Sequence, residues 1–339
     1  MTNVAVIGAT GAVGNVFLRV AAEREFPFTQ LKLLATARSA GQQLQYRDQS
    51  ITVEETSEAV LADADIVFCS ATAEASKLWG PIVAANGAVM IDDGSAFRMH
   101  ANVPLVVPEV NGPDLEWHEG IVSIPNCTTT PLALALHAMQ VVATPVRVTA
   151  STYQAVTGSG AAAAAELMGQ IQAIGRGEQV PEPTVYPQQI ALNVIPQVDD
   201  FDEDGYTKEE IKMRNETRKI LHLPELSIAT TCVRVPTMIG HAETVHVEFD
   251  RSVDLGALHE ALRNQPGIKV SEGLEDYPTP LSSEGDDLTY VGRLRPDPTV
   301  LDGRGVVFWC VSDNLRKGAA TNAIQIAEEL ISRKLLKYS

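Results

Sequence analysis

The sequence predicts an α/β protein with two parts: a parallel, doubly wound sheet on the N-terminal side and a second part built on a mixed sheet. Three observations predict it. Short apolar runs alternate with helical patterns from residue 3 onward, as βαβ units with a parallel sheet do. The first run ends in a glycine-spaced turn that opens directly into a helix, the context of a nucleotide-binding turn. After Cys127 the strands become longer and richer in β-branched residues, which marks a different kind of sheet.

Residues 3–7 form the first strand, Val/Ile-rich and short. The helix after Gly8-Ala9-Thr10-Gly11-Ala12-Val13-Gly14 runs through Ala22, with Val13, Val16, Phe17 and Val20 on one face at helical spacing. Strands follow at 31–35, 65–70, 89–91 and 105–107. Beyond Cys127 the pattern gives a helix over 131–142, a strand over 147–156 and an Ala-rich helix over 160–174, suited to close packing. Strands at 227–235, 244–250 and 306–311 complete the mixed sheet. An amphipathic last helix spans 316–336, with Ala320, Ile324, Ala327 and Leu330 sharing a face.

The 339 residues allow about two domains. Of the residues, 45% are hydrophobic and 20% charged, an ordinary globular composition that argues against disorder. With 43 acidic and 26 basic side chains the net charge is −17, so no broad basic surface exists for a nucleic acid backbone. A small anionic substrate needs only one or two placed cations and stays open. No signal peptide is visible, and the most apolar segment, 131–148, is interrupted by His137, Gln140 and Arg147, too polar for a membrane span. The four cysteines, Cys69, Cys127, Cys232 and Cys310, are scattered without metal-type spacing. The expectation is a cytoplasmic protein with no metal site.

In the glycine turn, Gly8 permits a tight bend, Gly11 lets backbone approach a pyrophosphate, and Gly14 allows close helix–strand packing. The spacing is G-x-x-G-x-x-G, a variant of the usual fingerprint, and a ligand-free turn is the competing reading. Where an NAD site places a carboxylate after the second strand, this chain reads Ala35-Thr36-Ala37-Arg38-Ser39. A guanidinium with two hydroxyls suits a 2′-phosphate, so NADP(H) is favoured over NAD unless Arg38 is simply a solvated loop residue. Cys127, within Pro125-Asn126-Cys127-Thr128-Thr129, stands directly before a helix, where free N–H groups and the dipole favour a thiolate. The other three cysteines lie in apolar strand runs.

The Gly8–Gly14 turn, Gly-Ser-Ala-Phe-Arg-Met (94–99), Pro-Leu-Val-Val-Pro-Glu-Val-Asn (104–111) and Pro-Asn-Cys-Thr-Thr (125–129) together resemble the aspartate-β-semialdehyde dehydrogenase family. So do Thr-Tyr-Gln-Ala-Val-Thr-Gly (152–158), Gly-Tyr-Thr-Lys-Glu-Glu-Ile-Lys-Met (205–213), Arg-Val-Pro-Thr-Met-Ile-Gly-His-Ala-Glu (234–243) and Asp-Asn-Leu-Arg-Lys-Gly-Ala-Ala (313–320). These blocks run in family order from residue 4 to about 320. The resemblance implies a Rossmann-type domain from 1–127 and 315–339, with an inserted α+β catalytic and dimerisation domain over 128–314. It implies NADPH-dependent reductive dephosphorylation of L-4-aspartyl phosphate to L-aspartate 4-semialdehyde, on the route to lysine, threonine, methionine and diaminopimelate. A homodimer, possibly a tetramer, is implied, with the Ala-rich helix as a candidate interface.

By position, Cys127 matches the family nucleophile, His241 the general acid/base and Gln154 the residue that orients the acyl group. Arg234 matches the side chain gripping the substrate α-carboxylate, Glu209 the partner of its ammonium, and Arg98 and Lys212 the phosphate-binding cations, with Asn126 beside the nucleophile. Cofactor contacts are implied at Gly8, Thr10, Gly11, Ala12, Val13, Thr36, Arg38, Ser39, Thr72, Gly158 and Asn314. Glu209 and Lys212, three apart on one helix, could also pair with each other. The family commonly carries Asn and Ser where this chain has Asp93 and Gly94, and Asp93 is expected to add negative charge near the phosphate and nicotinamide. Thr157 stands where serine is frequent. The rival enzymes are other cysteine-dependent acyl-phosphate reductases, which carry Gly-Cys-Tyr or Ser-Cys-Thr-Thr-Asn at the nucleophile in place of Pro-Asn-Cys. A catalytically silent NADP-binding paralogue is the rival outside enzymes.

Overall fold

A computed structural model describes residues 2–273 and 275–336, which form two compact units. One comprises residues 1–126 and 319–339, the other 127–318. The expected boundary placed Cys127 and 315–318 in the first; their contacts place them in the second.

The first unit contains β1 (Asn3–Ile7), α1 (Ala12–Glu23), β2 (Gln30–Ala35), β3 (Gln43–Tyr46), β4 (Gln49–Glu55) and the short α2 (Glu58–Leu61). It continues with β5 (Ile66–Cys69), α3 (Ala73–Ala85), β6 (Val89–Asp92), the short α4 (Pro108–Asn111) and β7 (Ile121–Ser123). The strands form one sheet in the order β3-β4-β2-β1-β5-β6-β7, parallel except for the β3–β4 hairpin. From β1 the chain goes first to β2 on one side and later to β5 on the other. Such a reversal opens a crevice at the carboxyl ends of the two central strands. That rim carries Gly8 after β1 and Ser70 after β5.

Two expected features are corrected here. The run at 105–107 is not a sheet strand: Leu105 makes only an isolated bridge to Ser123, and β7 takes the edge position. Pro104 and Pro108 bracket the run, and Pro108 starts α4, so too few N–H groups remain for a ladder. β3 and β4 were not foreseen, because Gln43-Leu-Gln-Tyr46 and Gln49-Ser-Ile-Thr-Val-Glu-Glu55 are polar edge strands.

The second unit holds α5 (Thr129–Gln140), β8 (Pro145–Gln154), α6 (Ala161–Arg176), α7 (Lys208–Ile220), β9 (Ser227–Arg234) and β10 (His241–Phe249). α8 (Leu255–Asn264), β11 (Ile268–Val270), the short α9 (Pro280–Ser283), β12 (Thr289–Pro296) and β13 (Gly305–Ser312) follow. Its sheet runs β11-β12-β13-β10-β8-β9 and is mixed: β11–β12 and β8–β9 are parallel, the rest antiparallel. α5, α7 and α8 pack on one face, and the strands alternate accordingly, as in β9 with Ile228, Thr230, Cys232 and Arg234 buried.

A π-turn over Arg316–Ala320 precedes α10 (Thr321–Ser332). The expected single helix over 316–336 is therefore broken: Gly318 N–H bonds the carbonyl of Asp313, five residues back, which widens the turn. α10 belongs to the first unit, where Ile324, Ile326, Ala327 and Leu330 are fully buried. Each large aliphatic side chain of this set contributes roughly 1.5–3 kcal/mol.

Candidate active site

In the second unit, the register of the sheet lays its buried side chains in cross-strand rows. Phe308, Val245, Ala150 and Thr230 form a nearly apolar row. Two residues further along comes Cys310–Glu243–Thr152–Cys232, all fully buried. The last row, at the sheet's end, pairs Ser312 with His241 and Gln154 with Arg234. Polarity thus rises toward one end of the sheet. Burial there excludes water and strengthens electrostatic interactions.

Arg234 closes β9, only 4% exposed. Its Nη1 donates to the carbonyl of Ala155 at 2.7 Å, and its guanidinium lies 5.8 Å from the Tyr186 ring centroid. No carboxylate stands within ion-pair distance of it among the described residues, and its Nε has no hydrogen-bond partner. A buried cation without an internal counter-ion is costly, and an anionic ligand would offset that cost. His241 opens β10, fully buried, with Nδ1 accepting from the Ala155 N–H at 3.0 Å. Burial, with the Arg234 charge beside it, pushes its pKa down to about 3. A Cβ on Gly158 would come within 3.1 Å of Arg234 Nη1 and 3.2 Å of His241 Nε2. The missing side chain at 158 lets both groups lie close against the main chain there.

Gln154 ends β8. Its Oε1 accepts from Thr152 Oγ1 at 2.9 Å and its Nε2 donates to Glu209 Oε1 at 3.0 Å, which fixes the amide orientation. Glu209 is held in place by a capping box at the start of α7: Thr207 N–H donates to Glu210 Oε2 and Glu210 N–H to Thr207 Oγ1. Glu210 Oε1 also accepts from the Cys232 N–H at 2.9 Å, anchoring α7 to β9. Lys212 Nζ pairs with Asp199 at 2.7 Å and with Glu209 at 3.4 Å, as the helical spacing allows. Its charge is shared by two carboxylates.

Cys127 immediately precedes α5 and its Thr128 N-cap, and is partly exposed. The other three thiols are buried: desolvation pushes Cys69 up to about 12 and raises Cys232 and Cys310 further. Only the helix-start cysteine therefore has access to reactants. Gly318 lies against it, and a Cβ there would stand 2.9 Å from the Cys127 Cβ. Gly318 N–H bonds Asp313 O, and the neighbouring Asn314 Oδ1 accepts from the Gly240 N–H at 2.9 Å. This chain of contacts brings the cysteine to the end of the sheet that carries His241. Asn314 Nδ2 also donates to Thr157 Oγ1 at 3.1 Å, so its amide joins the 157 and 240 loops. Neither Gly318 nor Ala155 announces itself in the sequence, because each acts through its main chain. Glu210 was legible as the fourth residue of a Thr-x-x-Glu box.

The first unit carries the remaining candidates. Gly8 has φ +83°, and a Cβ on it would fall 2.1 Å from Ser70 O; one on Gly14 would fall 2.5 Å from Gly8 O. Gly11 is the exposed N-cap of α1, whose first turn bears no acidic side chain. Thr10, Ala12 and Val13 stand at that helix start, so bare N–H groups face a cradle that fits a diphosphate. Thr36 and Arg38 are exposed and Ser39 partly so, on the turn after β2, and Arg38 has no ion pair among the described residues. Thr72 caps α3, its Oγ1 accepting from the Ala75 N–H. Arg98 is buried, and its Nη2 donates to the carbonyl of Asp93 at 2.7 Å; Asn126 is buried as well. Burial raises the Asp93 carboxyl above its ordinary range, and Ser70 Oγ donates to it at 3.0 Å.

Residues 3–118 match the model of the semialdehyde dehydrogenase NAD binding domain, and residues 136–317 that of the semialdehyde dehydrogenase dimerisation domain. The aspartate-semialdehyde dehydrogenase of Aquifex aeolicus is 44% identical over 338 residues, covering 98% of this chain and 99% of its own. That of Bacillus subtilis is 43% identical, with 97% of each chain covered. The crystal structure of aspartate semialdehyde dehydrogenase II from Vibrio cholerae, complexed with ASA, superposes with a TM-score of 0.95 at 42% identity, over 98% of both chains. The glycine cradle, the helix-start cysteine and the buried Gln–Arg–His row thus sit in a chain that belongs to the aspartate-semialdehyde dehydrogenase family of oxidoreductases.

Proposed function

We propose that the chain catalyses the NADPH-dependent reductive dephosphorylation of L-4-aspartyl phosphate to L-aspartate 4-semialdehyde, and its reverse, through a thioester on Cys127. The observation that carries this reading is Arg234, a buried guanidinium without a carboxylate partner among the described residues, which lies with His241 against Gly158. A substrate α-carboxylate supplies the missing counter-ion and is fixed by a planar fork. Glu209 receives the substrate ammonium, and Gln154, its amide already oriented by Thr152 and Glu209, holds the acyl group. Cys127 attacks the acyl carbon and phosphate departs toward Arg98 and Asn126. Lys212, paired with Asp199 and Glu209, is the second cation for the phosphate.

The cofactor, when bound, supplies the hydride that reduces the thioester. Gly8, Thr10, Gly11, Ala12 and Val13 hold its diphosphate, and Arg38 with Thr36 and Ser39 takes the 2′-phosphate. Gly158 leaves room beside the reacting group. The chain works as a homodimer: on α6, Met168 and Ile171 are about 40% exposed, an apolar face that a second copy would cover. No helix among the described residues is long and apolar enough to cross a membrane, which fits a cytoplasmic enzyme.

The test is reduction of NADP⁺ by aspartate semialdehyde, with and without inorganic phosphate, beside Cys127→Ala. Phosphate-dependent turnover that vanishes in the variant is expected. Turnover that ignores phosphate, or survives the loss of the thiol, refutes the reading.

A further inference from the structure

Residues 178–206 join α6 to α7 as irregular chain, in which Pro181, Pro183 and Pro187 fix φ and oppose a regular element. The N–H groups of such a stretch need acceptors, and one face of α6 supplies them. Glu166 Oε2 accepts from Thr184 Oγ1 at 2.9 Å, from the Val185 N–H at 2.7 Å and from the Thr184 N–H. Its Oε1 accepts from the Tyr186 N–H at 3.4 Å. One helical turn later the fully buried Gln170 receives the N–H groups of Ile190 and Ala191 on Oε1, at 3.1 and 3.0 Å. Hydrogen bonds to an ionised acceptor are the stronger kind. Partial burial acts against the Glu166 charge, yet the donors of Thr184, Val185 and Tyr186 bring its carboxyl below the ordinary range.

The same stretch meets Arg234 twice. Ile195 exchanges both main-chain hydrogen bonds with it, at 2.9 and 2.8 Å, and so covers the free edge of β9 at its last residue. The Tyr186 ring centroid lies 5.8 Å from the guanidinium carbon. Ile190 and Ile195 bury against Val156 and Leu167, and Tyr186 packs on that cluster. An aromatic face attracts a cation at this range, and it does so without using the guanidinium N–H groups. Among the described residues only Nη1 has a hydrogen-bond partner, the Ala155 carbonyl. A carboxylate in the place of the ring would balance the charge but would also occupy the fork that an anionic ligand must fill.

We propose that Glu166 and Tyr186 are positioning residues for Arg234: Glu166 pins the main chain at 184–186, and the Tyr186 ring placed there holds the guanidinium ready for the substrate α-carboxylate. This rests on the acyl-phosphate reading above and adds to it the residues that set selectivity for an α-carboxylate. A free arginine side chain samples many rotamers, so holding it in place beforehand lowers the cost of binding. Glu166 acts only through Tyr186, and Tyr186 only through Arg234.

The test reads a ratio: kcat/KM for aspartate semialdehyde over that for 3-aminopropanal, the same aldehyde without the carboxylate, each with NADP⁺ and phosphate. Tyr186→Leu should lower this ratio about 5- to 30-fold, the range of a partly to fully desolvated ring–cation contact. The loss should fall on the KM for semialdehyde, with the KM for phosphate and the Kd for NADPH unchanged. Tyr186→Phe keeps the ring and should keep the wild-type ratio. Glu166→Gln turns an amide nitrogen toward donors it cannot accept from, and should lower the ratio in the same direction. The double variant Glu166→Gln/Tyr186→Leu should fall no further than Tyr186→Leu, because the two residues act in series. An unchanged ratio in Tyr186→Leu, an equal loss on both aldehydes, or additive losses in the double variant overturns the proposal. Should Tyr186→Leu fail to fold, the ratio in Glu166→Gln decides alone. Arg234→Lys checks the underlying reading separately: if it leaves the ratio at the wild-type value, the carboxylate anchor is wrong, whatever Tyr186 does.

Discussion

Gly318 and Cys127 approach so closely that a Cβ on the glycine would stand 2.9 Å from the Cys127 Cβ and 3.2 Å from its Cα. Gly318 lies in the π-turn, and Cys127 immediately precedes α5 and its Thr128 N-cap. Gly318→Ala must therefore shift the nucleophile or the turn by several tenths of an ångström. Displacements of this order cost about 10- to 100-fold in a reaction that depends on orientation. The expected result is a fall in kcat, slower alkylation of Cys127 by iodoacetamide, and an unchanged Kd for NADPH. Wild-type kcat in this variant would show that the contact does not position the thiol.

The two proposed anion subsites should separate in the proposed reverse reaction, where semialdehyde and phosphate are independent substrates. Arg98→Lys should raise the KM for phosphate chiefly, since lysine keeps the charge and loses the fork. Arg234→Lys should raise the KM for semialdehyde and lower kcat, because the carboxylate anchor also sets the position of the carbonyl. Each change should cost on the order of 1.5–3 kcal/mol. An effect of Arg234→Lys on phosphate alone would mean the two arginines have been exchanged.

Cofactor choice rests on the turn after β2. Arg38 is exposed and has no ion pair among the described residues, so Arg38→Ala should leave stability unchanged. It should weaken NADPH far more than NADH, measured as Kd by fluorescence titration, because only the former offers a 2′-phosphate. Equal losses would make Arg38 a loop residue without a ligand.

Most of the parallel sheet was legible, because β1, β5 and β6 are short runs of Val, Ile and similar residues that no helix pattern competes with. The edges were not. β12 reads Thr289-Tyr-Val-Gly-Arg-Leu-Arg-Pro296 and is bulged, so its alternation is broken. For the site, side-chain chemistry showed in the sequence and main-chain chemistry did not. His241 could be picked out as a histidine; that the Ala155 N–H meets its Nδ1 depends on a turn 86 residues earlier in the chain.

The row behind His241 and Gln154 makes a stability prediction. Burial raises the Glu243 pKa well above its ordinary value. Above pH 4.5 the unfolded carboxyl is ionised while the folded one still holds its proton, so stability falls as pH rises, by about 1.4 kcal/mol per pH unit, until the folded group ionises. Glu243→Gln removes that slope. Urea unfolding should find the variant more stable than wild type at pH 8, with the gap closing toward pH 4.5. Parallel curves for the two proteins would show that Glu243 does not take up a proton on folding.

The route of the chain through its two units also sets an order of assembly. The first unit is interrupted after residue 126 and completed only by residues 319–339, whereas 127–318 is one uninterrupted stretch. During synthesis from the N-terminus the second unit has all its residues while the first still lacks α10. Val4, Val6, Phe17 and Phe68, whose core cluster includes Ile324 and Leu330, must wait uncovered until α10 leaves the ribosome. At about 5–20 residues per second the delay, from residue 127 to α10, is tens of seconds. The nucleotide-binding half is thus translated first and closed last, and a nascent chain stalled near residue 318 would hold a folded second unit beside an open, apolar first one.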